Sequence, residues 1–146
     1  MIEVIGGCHC GAHRYRAQID PLAGYWCHCR MCQRATGNVA AAFVNAAKAD
    51  FAWETAPPAT YLSSPFGRRG FCAACGTPLT FDYPDSQKID LTIGSLDAPG
   101  EVQRASHFGV ESRVPGWIPP DDLPEQRSDD YAPLVKRWAD VRRTPR

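Results

Sequence analysis

Seven cysteines in a chain of 146 residues fall into three tight groups, and this grouping constrains the fold more than any other feature. Cys8 and Cys10 are separated by one residue, Cys72 and Cys75 by two, and Cys27-His28-Cys29-Arg30-Met31-Cys32 sets three thiols within six positions. The opening residues, Met1-Ile2-Glu3-Val4-Ile5-Gly6-Gly7, have neither a basic start nor a long apolar run, so no secretory leader is expected. An odd number of thiols without an export signal points to metal ligands, not a disulfide framework, and to a cytoplasmic protein.

Zinc takes four tetrahedral ligands and thiolates hold it strongly. Closed four-thiolate sites are structural, whereas catalytic sites keep one position open. Seven thiols cannot close two sites, so four plus three is the natural division, with two zinc ions per chain. Cys8, Cys10, Cys72 and Cys75 would form a structural site, and Cys27, Cys29 and Cys32 an open one. Another grouping closes a site from two of the triple with Cys72 and Cys75, leaving Cys8 and Cys10 over. A similar thiophilic metal would suit the same ligands, but C-x-C spacing does not match the common iron–sulfur patterns.

Local geometry supports shared ligation. In extended backbone, residues i and i+2 share a face, which aims Cys8 and Cys10 one way and His9 the other, and aligns Cys27 with Cys29. Residues 30–35 can then begin one or two helical turns ended by Gly37, swinging Cys32 back over the pair. A helix N-terminus and the cations of Arg30 and Arg34 would favour thiolate there, although both arginines also suit an ordinary solvated face. Cys72-Ala73-Ala74-Cys75-Gly76 is a zinc-knuckle sequence: the two-residue spacer aims both sulfurs at one ion, and glycine allows a left-handed backbone.

With 13 prolines and 12 glycines, long helices are disfavoured, while 44% hydrophobic residues allow a core. One mainly β domain is expected over residues 1–146, with a zinc-bearing β core over about 2–118 and a tail with a short helix over about 119–146. Residues 2–18 read as a hairpin bending at the first cysteine pair. Further strands are expected entering Cys27 and around 51–53, 61–63, 79–83, 88–93 and 105–110. The apolar run 39–44 suits a strand buried on both faces or, given its alanines, a helix. The proline-rich segment from Val114 reads as a surface crossing pinned by Trp117. Asp129 or Asp130 can cap a last helix in which Tyr131, Leu134, Val135, Trp138 and Val141 make one apolar packing face.

Sixteen basic residues balance 16 acidic ones, and seven thiolates with two zinc ions would bring the net charge to about −3. That balance argues against nucleic acid as a partner. No stretch approaches the roughly 18 apolar residues of a membrane span.

The segments Gly7-Cys8-His9-Cys10-Gly11, Cys27-His28-Cys29-Arg30-Met31-Cys32 and Phe71-Cys72-Ala73-Ala74-Cys75-Gly76-Thr77 resemble the glutathione-dependent formaldehyde-activating enzyme family, which shares its domain with centromere protein V. Gly94-Ser95-Leu96-Asp97, His107 and Pro115-Gly116-Trp117 resemble its C-terminal part. The resemblance implies a β-tent fold of two small antiparallel sheets, as also seen in methionine sulfoxide reductase B. It implies structural zinc on Cys8, Cys10, Cys72 and Cys75, and catalytic zinc on Cys27, Cys29 and Cys32. The implied activity is carbon–sulfur lyase chemistry on an adduct of a small aldehyde with a small-molecule thiol such as glutathione. Arg30 and Arg34, or Arg68 and Arg69, are then candidates to grip a glutathione carboxylate through a bidentate fork. His28 or His107 is a candidate for moving the proton. The alternatives are a non-enzymatic zinc-binding interaction module, and thiol redox catalysis, which needs a cysteine outside both metal sites.

Overall fold

The computed structural model describes residues 1–143. In chain order its elements are β1 (Ile2–Gly7), β2 (Arg14–Ile19), β3 (Ala23–Cys27), α1 (Arg30–Thr36), β4 (Ala41–Ala47), β5 (Phe51–Trp53), β6 (Ala59–Leu62), β7 (Arg68–Phe71), β8 (Pro78–Asp82), β9 (Lys88–Thr92), β10 (Gln103–Phe108), β11 (Glu125–Gln126) and α2 (Ala132–Arg143). The chain is mainly β, with its strands in two sheets and a short C-terminal helix. It divides into two compact units: Met1–Gly24 with Ala42–Arg104, and Tyr25–Ala41 with the described part of Ala105–Arg146. No helix among the described residues is long and apolar enough to cross a membrane.

In the first unit β1 and β2 pair antiparallel, with Ile2 opposite Ile19 and Gly7 opposite Arg14, and β5 joins the free edge of β2. Alternation along β2 buries Tyr15, Ala17 and Ile19, as period-two patterning requires. Tyr15 is packed by Phe51 and Trp53 at ring-centre distances of 5.6 and 5.7 Å, and its hydroxyl lies 2.6 Å from Ser95 Oγ. The second sheet contributes the antiparallel run β4-β9-β8-β7-β6. The apolar run expected at 39–44 is a strand from Ala41 on: β4 buries the neighbours Phe43 and Val44, which point to opposite faces. Between the sheets' buried faces Val4, Tyr15, Val44, Leu79, Leu91 and Leu96 belong to one core cluster that also takes in Cys8 and Cys72.

One charged group is embedded in this unit. Asp82, 4% exposed, accepts from Arg68 Nε and Nη2 at 2.9 and 2.8 Å, and Lys48 Nζ is 2.6 Å away. Burial alone would raise this carboxyl, but the bonds from Arg68 and Lys48 outweigh it and hold it below the usual carboxylate range. A depressed native pKa contributes stability that is complete above the unfolded value, near 3.9, and fades as pH falls through the lower native one. Asp82→Asn is therefore expected to be destabilising by about 2–3 kcal/mol at neutral pH, since both cations stay partly exposed. Urea unfolding of both proteins should show that gap holding from pH 7 to about 5 and shrinking below about 4. A gap constant down to pH 3 would refute the ion-pair account.

The second unit contains the end of β3, α1, β10, β11 and α2, with strand order β11-β10-β3. Its tail differs from expectation. Trp117 is 73% exposed and pins nothing. The segment is held instead by β11, which pairs parallel with β10, His107 opposite Glu125 and Phe108 opposite Gln126. The bonds His107 N–H to Pro124 O and Gly109 N–H to Gln126 O, each 2.8 Å, and the Arg113–Glu125 ion pair at 2.7 Å complete the attachment. Nor do Asp129 and Asp130 cap α2. They sit in a preceding 3-10 turn, where Asp129 takes both bonds of the Arg127 guanidinium, and the Tyr131 carbonyl receives the first helical N–H groups. The apolar face of α2 is only partly used: Leu134, Trp138 and Val141 are half-buried, whereas Tyr131 and Val135 are exposed. Tyr131 nonetheless meets Phe108 edge to face at 5.5 Å.

Candidate metal centres

In the first unit the sulfurs of Cys8, Cys10, Cys72 and Cys75 all lie within 4.8 Å of one another. Cys8 and Cys10 are 3.5 Å apart, Cys10 and Cys72 3.6 Å. Zinc–sulfur bonds of about 2.3 Å set the sulfurs of a tetrahedral centre roughly 3.8 Å apart, so the donor set fits one such ion. None of the seven cysteines is in a disulfide. The grouping is four and three; the arrangement joining Cys72 and Cys75 to two of the triple is not what the fold makes.

Pleat alternation does not orient the first pair, contrary to the sequence argument. Cys8 to Gly11 is a tight turn closed by the Gly11 N–H to Cys8 O bond of 3.0 Å, with Gly11 at φ 79°. The second pair turns in the same way: Gly76 N–H reaches Cys72 O at 2.8 Å, with Gly76 at φ 77°. A β-carbon is disfavoured in that left-handed region, which is why glycine follows each cysteine pair. Such turns also point amide protons at sulfur: His13 N–H donates to Cys8 Sγ at 3.3 Å. The hydroxyl of Thr77, 3.1 Å from Cys75 Sγ, is the first cause that brings Cys75 down to about 5; the backbone amides of Thr77 and, from the other turn, Cys10 add to it. Cys10 goes the other way, to about 11, because its contacts with Cys8, Cys72 and Cys75 outweigh the larger single effect of the Ala12 amide. Four crowded thiols resist ionising together, and a divalent cation among them removes the resistance.

In the second unit Cys27, Cys29 and Cys32 form a three-sulfur group, also within 4.8 Å, with Cys27 and Cys29 3.5 Å apart. β3 delivers Cys27 and α1 delivers Cys32. Cys29 is the N-cap of α1, its Sγ accepting the Cys32 N–H at 3.4 Å. Gly37 ends the helix at φ 64°. Gly109 lies so close to Cys29 that a β-carbon there would stand 3.0 Å from the Cys29 nitrogen. Contacts with Cys29 and Cys32, then burial, push the Cys27 thiol well above its ordinary value, a resistance to ionising that a divalent cation among the three sulfurs would remove.

Behind this group lies a polar chain that spacing alone did not reveal. His28, fully buried, places Nε2 2.8 Å from His107 Nδ1, and His107 Nε2 is 3.0 Å from Asp121 Oδ1. Burial first, then the positive Arg113, lowers His28 to about 4, so its ring is neutral at physiological pH. Gln33, also buried, donates through Nε2 to His28 O at 2.6 Å and Ser112 O at 2.9 Å. Both histidines were sequence candidates. Asp121 and Gln33 were not, and no motif marks either.

The arginines divide. Arg30 and Arg34 are exposed on α1, Arg30 in the first turn with Nη1 bonded to Gln33 Oε1 and Arg34 in the last turn. Arg68 is engaged by Asp82, and the largely buried Arg69 donates to Ser63 Oγ and stacks over Phe81 at 4.7 Å. Neither guanidinium of that pair stands ready for a carboxylate from outside.

A family model described as glutathione-dependent formaldehyde-activating enzyme matches residues 3–112. Among solved structures, the crystal structure of a Rhodobacter sphaeroides protein from a structural-genomics programme resembles this chain with a TM-score of 0.56 and 21% identity. The likeness covers 69% of this chain and 99% of that one, and at such identity it speaks for the fold alone. No curated protein matches the chain.

Proposed function

The chain belongs to the glutathione-dependent formaldehyde-activating enzyme family, and from that membership we propose that it is a zinc-dependent carbon–sulfur lyase acting on adducts of a small-molecule thiol, such as glutathione, with a small aldehyde. The observation that carries the reading is the incomplete donor set of the second unit. Cys27, Cys29 and Cys32 gather with no fourth histidine, cysteine or carboxylate among the described residues, and His28 Nε2 is turned to His107. Four-thiolate closure in the first unit is read as structural zinc, and three-thiolate openness here as a site for a reacting group.

Bound on these three sulfurs, zinc supplies Lewis acidity and lowers the pKa of a ligating thiol or hydroxyl. In the lyase direction the C–S bond of the adduct breaks and sulfur keeps the electron pair. The adduct's hydroxyl loses its proton as the C=O bond forms, and thiol and aldehyde leave after one proton returns to sulfur. Addition is the same sequence reversed. Cys27, Cys29 and Cys32 hold the metal, while Arg30 and Arg34, exposed on the helix that carries Cys32, are the proposed grips for the thiol's carboxylates.

Elemental analysis of protein purified without added zinc, with and without glutathione, tests the reading. Two zinc ions per chain are expected, one of them weakened or displaced by glutathione, together with thiol-dependent cleavage of an S-hydroxyalkyl adduct. A single tightly held ion indifferent to glutathione would overturn it and favour a binding module.

A further inference from the structure

The family match ends at residue 112, yet the polar chain behind the three-cysteine centre ends on Asp121. We propose that Asp121 is a positioning residue for that centre: through His107 it sets the tautomer and orientation of His28, and thereby the placement of the Cys27 and Cys29 thiolates around the metal. The inference rests on reading the centre as a metal site.

A carboxylate only accepts, so the 3.0 Å contact from Asp121 Oδ1 selects the N–H of His107 on Nε2. With His107 neutral, that is its one N–H, and its Nδ1 is an acceptor. The 2.8 Å contact then requires the N–H of His28 on Nε2 and leaves its Nδ1 a bare lone pair. That atom is the one buried side-chain nitrogen or oxygen without a hydrogen-bond partner among the described residues. The orphan is therefore an acceptor, the less costly kind to bury.

His28 is the single residue between Cys27 and Cys29, and three of its four polar atoms are held. Its N–H donates to Phe108 O at 2.8 Å, its carbonyl takes Gln33 Nε2 at 2.6 Å, and its ring is fixed by His107. With all three held, the backbone between the two cysteines is pinned in the conformation that sets their sulfurs 3.5 Å apart. A centre with three protein ligands depends on this preorganisation more than a closed one with four. Asp121 is itself steadied: the same Oδ1 accepts the Leu123 N–H at 3.2 Å, and the strand β11 that follows is paired to β10.

The test uses the zinc-loaded full chain and its D121A and D121N variants. Zinc is drawn off by competition with a chromogenic chelator, and the histidine tautomers are read by long-range proton–nitrogen NMR. In the wild type both rings should carry hydrogen on Nε2. In D121A the His107 tautomer is released, and the weaker of the two zinc ions should be bound on the order of 10–100-fold less tightly while the stronger is unchanged. D121N keeps the size and one acceptor oxygen, so a smaller weakening is expected; it carries the test alone should D121A fail to fold. Variants that keep both ions at wild-type affinity, or lose both together, would overturn the inference. A wild type that holds only one ion would instead overturn the underlying reading of the centre.

Discussion

Replacing Cys72 with serine is expected to unfold the first unit, and stripping the wild type with a strong chelator should do the same. Cys72 has no solvent exposure and sits both in the core cluster and in the four-sulfur group. Structural zinc on thiolates contributes roughly 10–16 kcal/mol of apparent folding free energy, as much as or more than the ~5–15 kcal/mol by which whole domains are stable. The group also joins residues near 8 to residues near 72, which share no local hydrogen-bond ladder that would hold them once the ion is gone. Circular dichroism and thermal melting with and without chelator decide the matter. A cooperative melt at the wild-type temperature in metal-free protein would refute structural ligation by these four cysteines.

Cys29→Ser has the largest expected effect on function with little on folding. Cys29 plays two parts: its sulfur joins Cys27 and Cys32, and it caps α1 by accepting the Cys32 N–H. Serine is among the best N-caps, so the substitution preserves the cap while removing the thiolate. The variant should lose the more weakly held ion, keep the tightly held one and melt within a few degrees of the wild type. Lewis-acid assistance is worth several kcal/mol, so kcat/KM for adduct cleavage should fall at least about a hundredfold. Undiminished cleavage with only one ion bound would remove the three-cysteine centre from the mechanism. Loss of fold along with the ion would make it a second structural site.

These two outcomes separate the parts of the molecule by what supports each. The four-sulfur centre draws on long-range connectivity and burial, so its loss is expected to spread through the first unit. The three-sulfur centre is built within six residues and braced by Gln33, Gly109, His107 and Asp121, so its loss is local.

Local features are legible along the chain. Ligand type and spacing, the knuckle glycine at 76, the stop of α1 at Gly37 and the strand character of most apolar runs depend on steric and hydrogen-bond preferences within about four residues. How Cys8 and Cys10 are aimed is not legible there, because a one-residue spacer is compatible with a pleat or a turn, and only the closing bond from Gly11 distinguishes them. The meeting of Cys8 and Cys10 with Cys72 and Cys75 follows from ligand counting and the fold bears it out, whereas the attachment of the tail as a parallel strand and not through Trp117, and the reach of Asp121 to His107, were set only by the folded chain. Those partners lie from 14 to more than 60 residues apart, and no periodicity connects them. Which of them meet is fixed by strand register and shared burial, properties of the whole chain that no single segment carries.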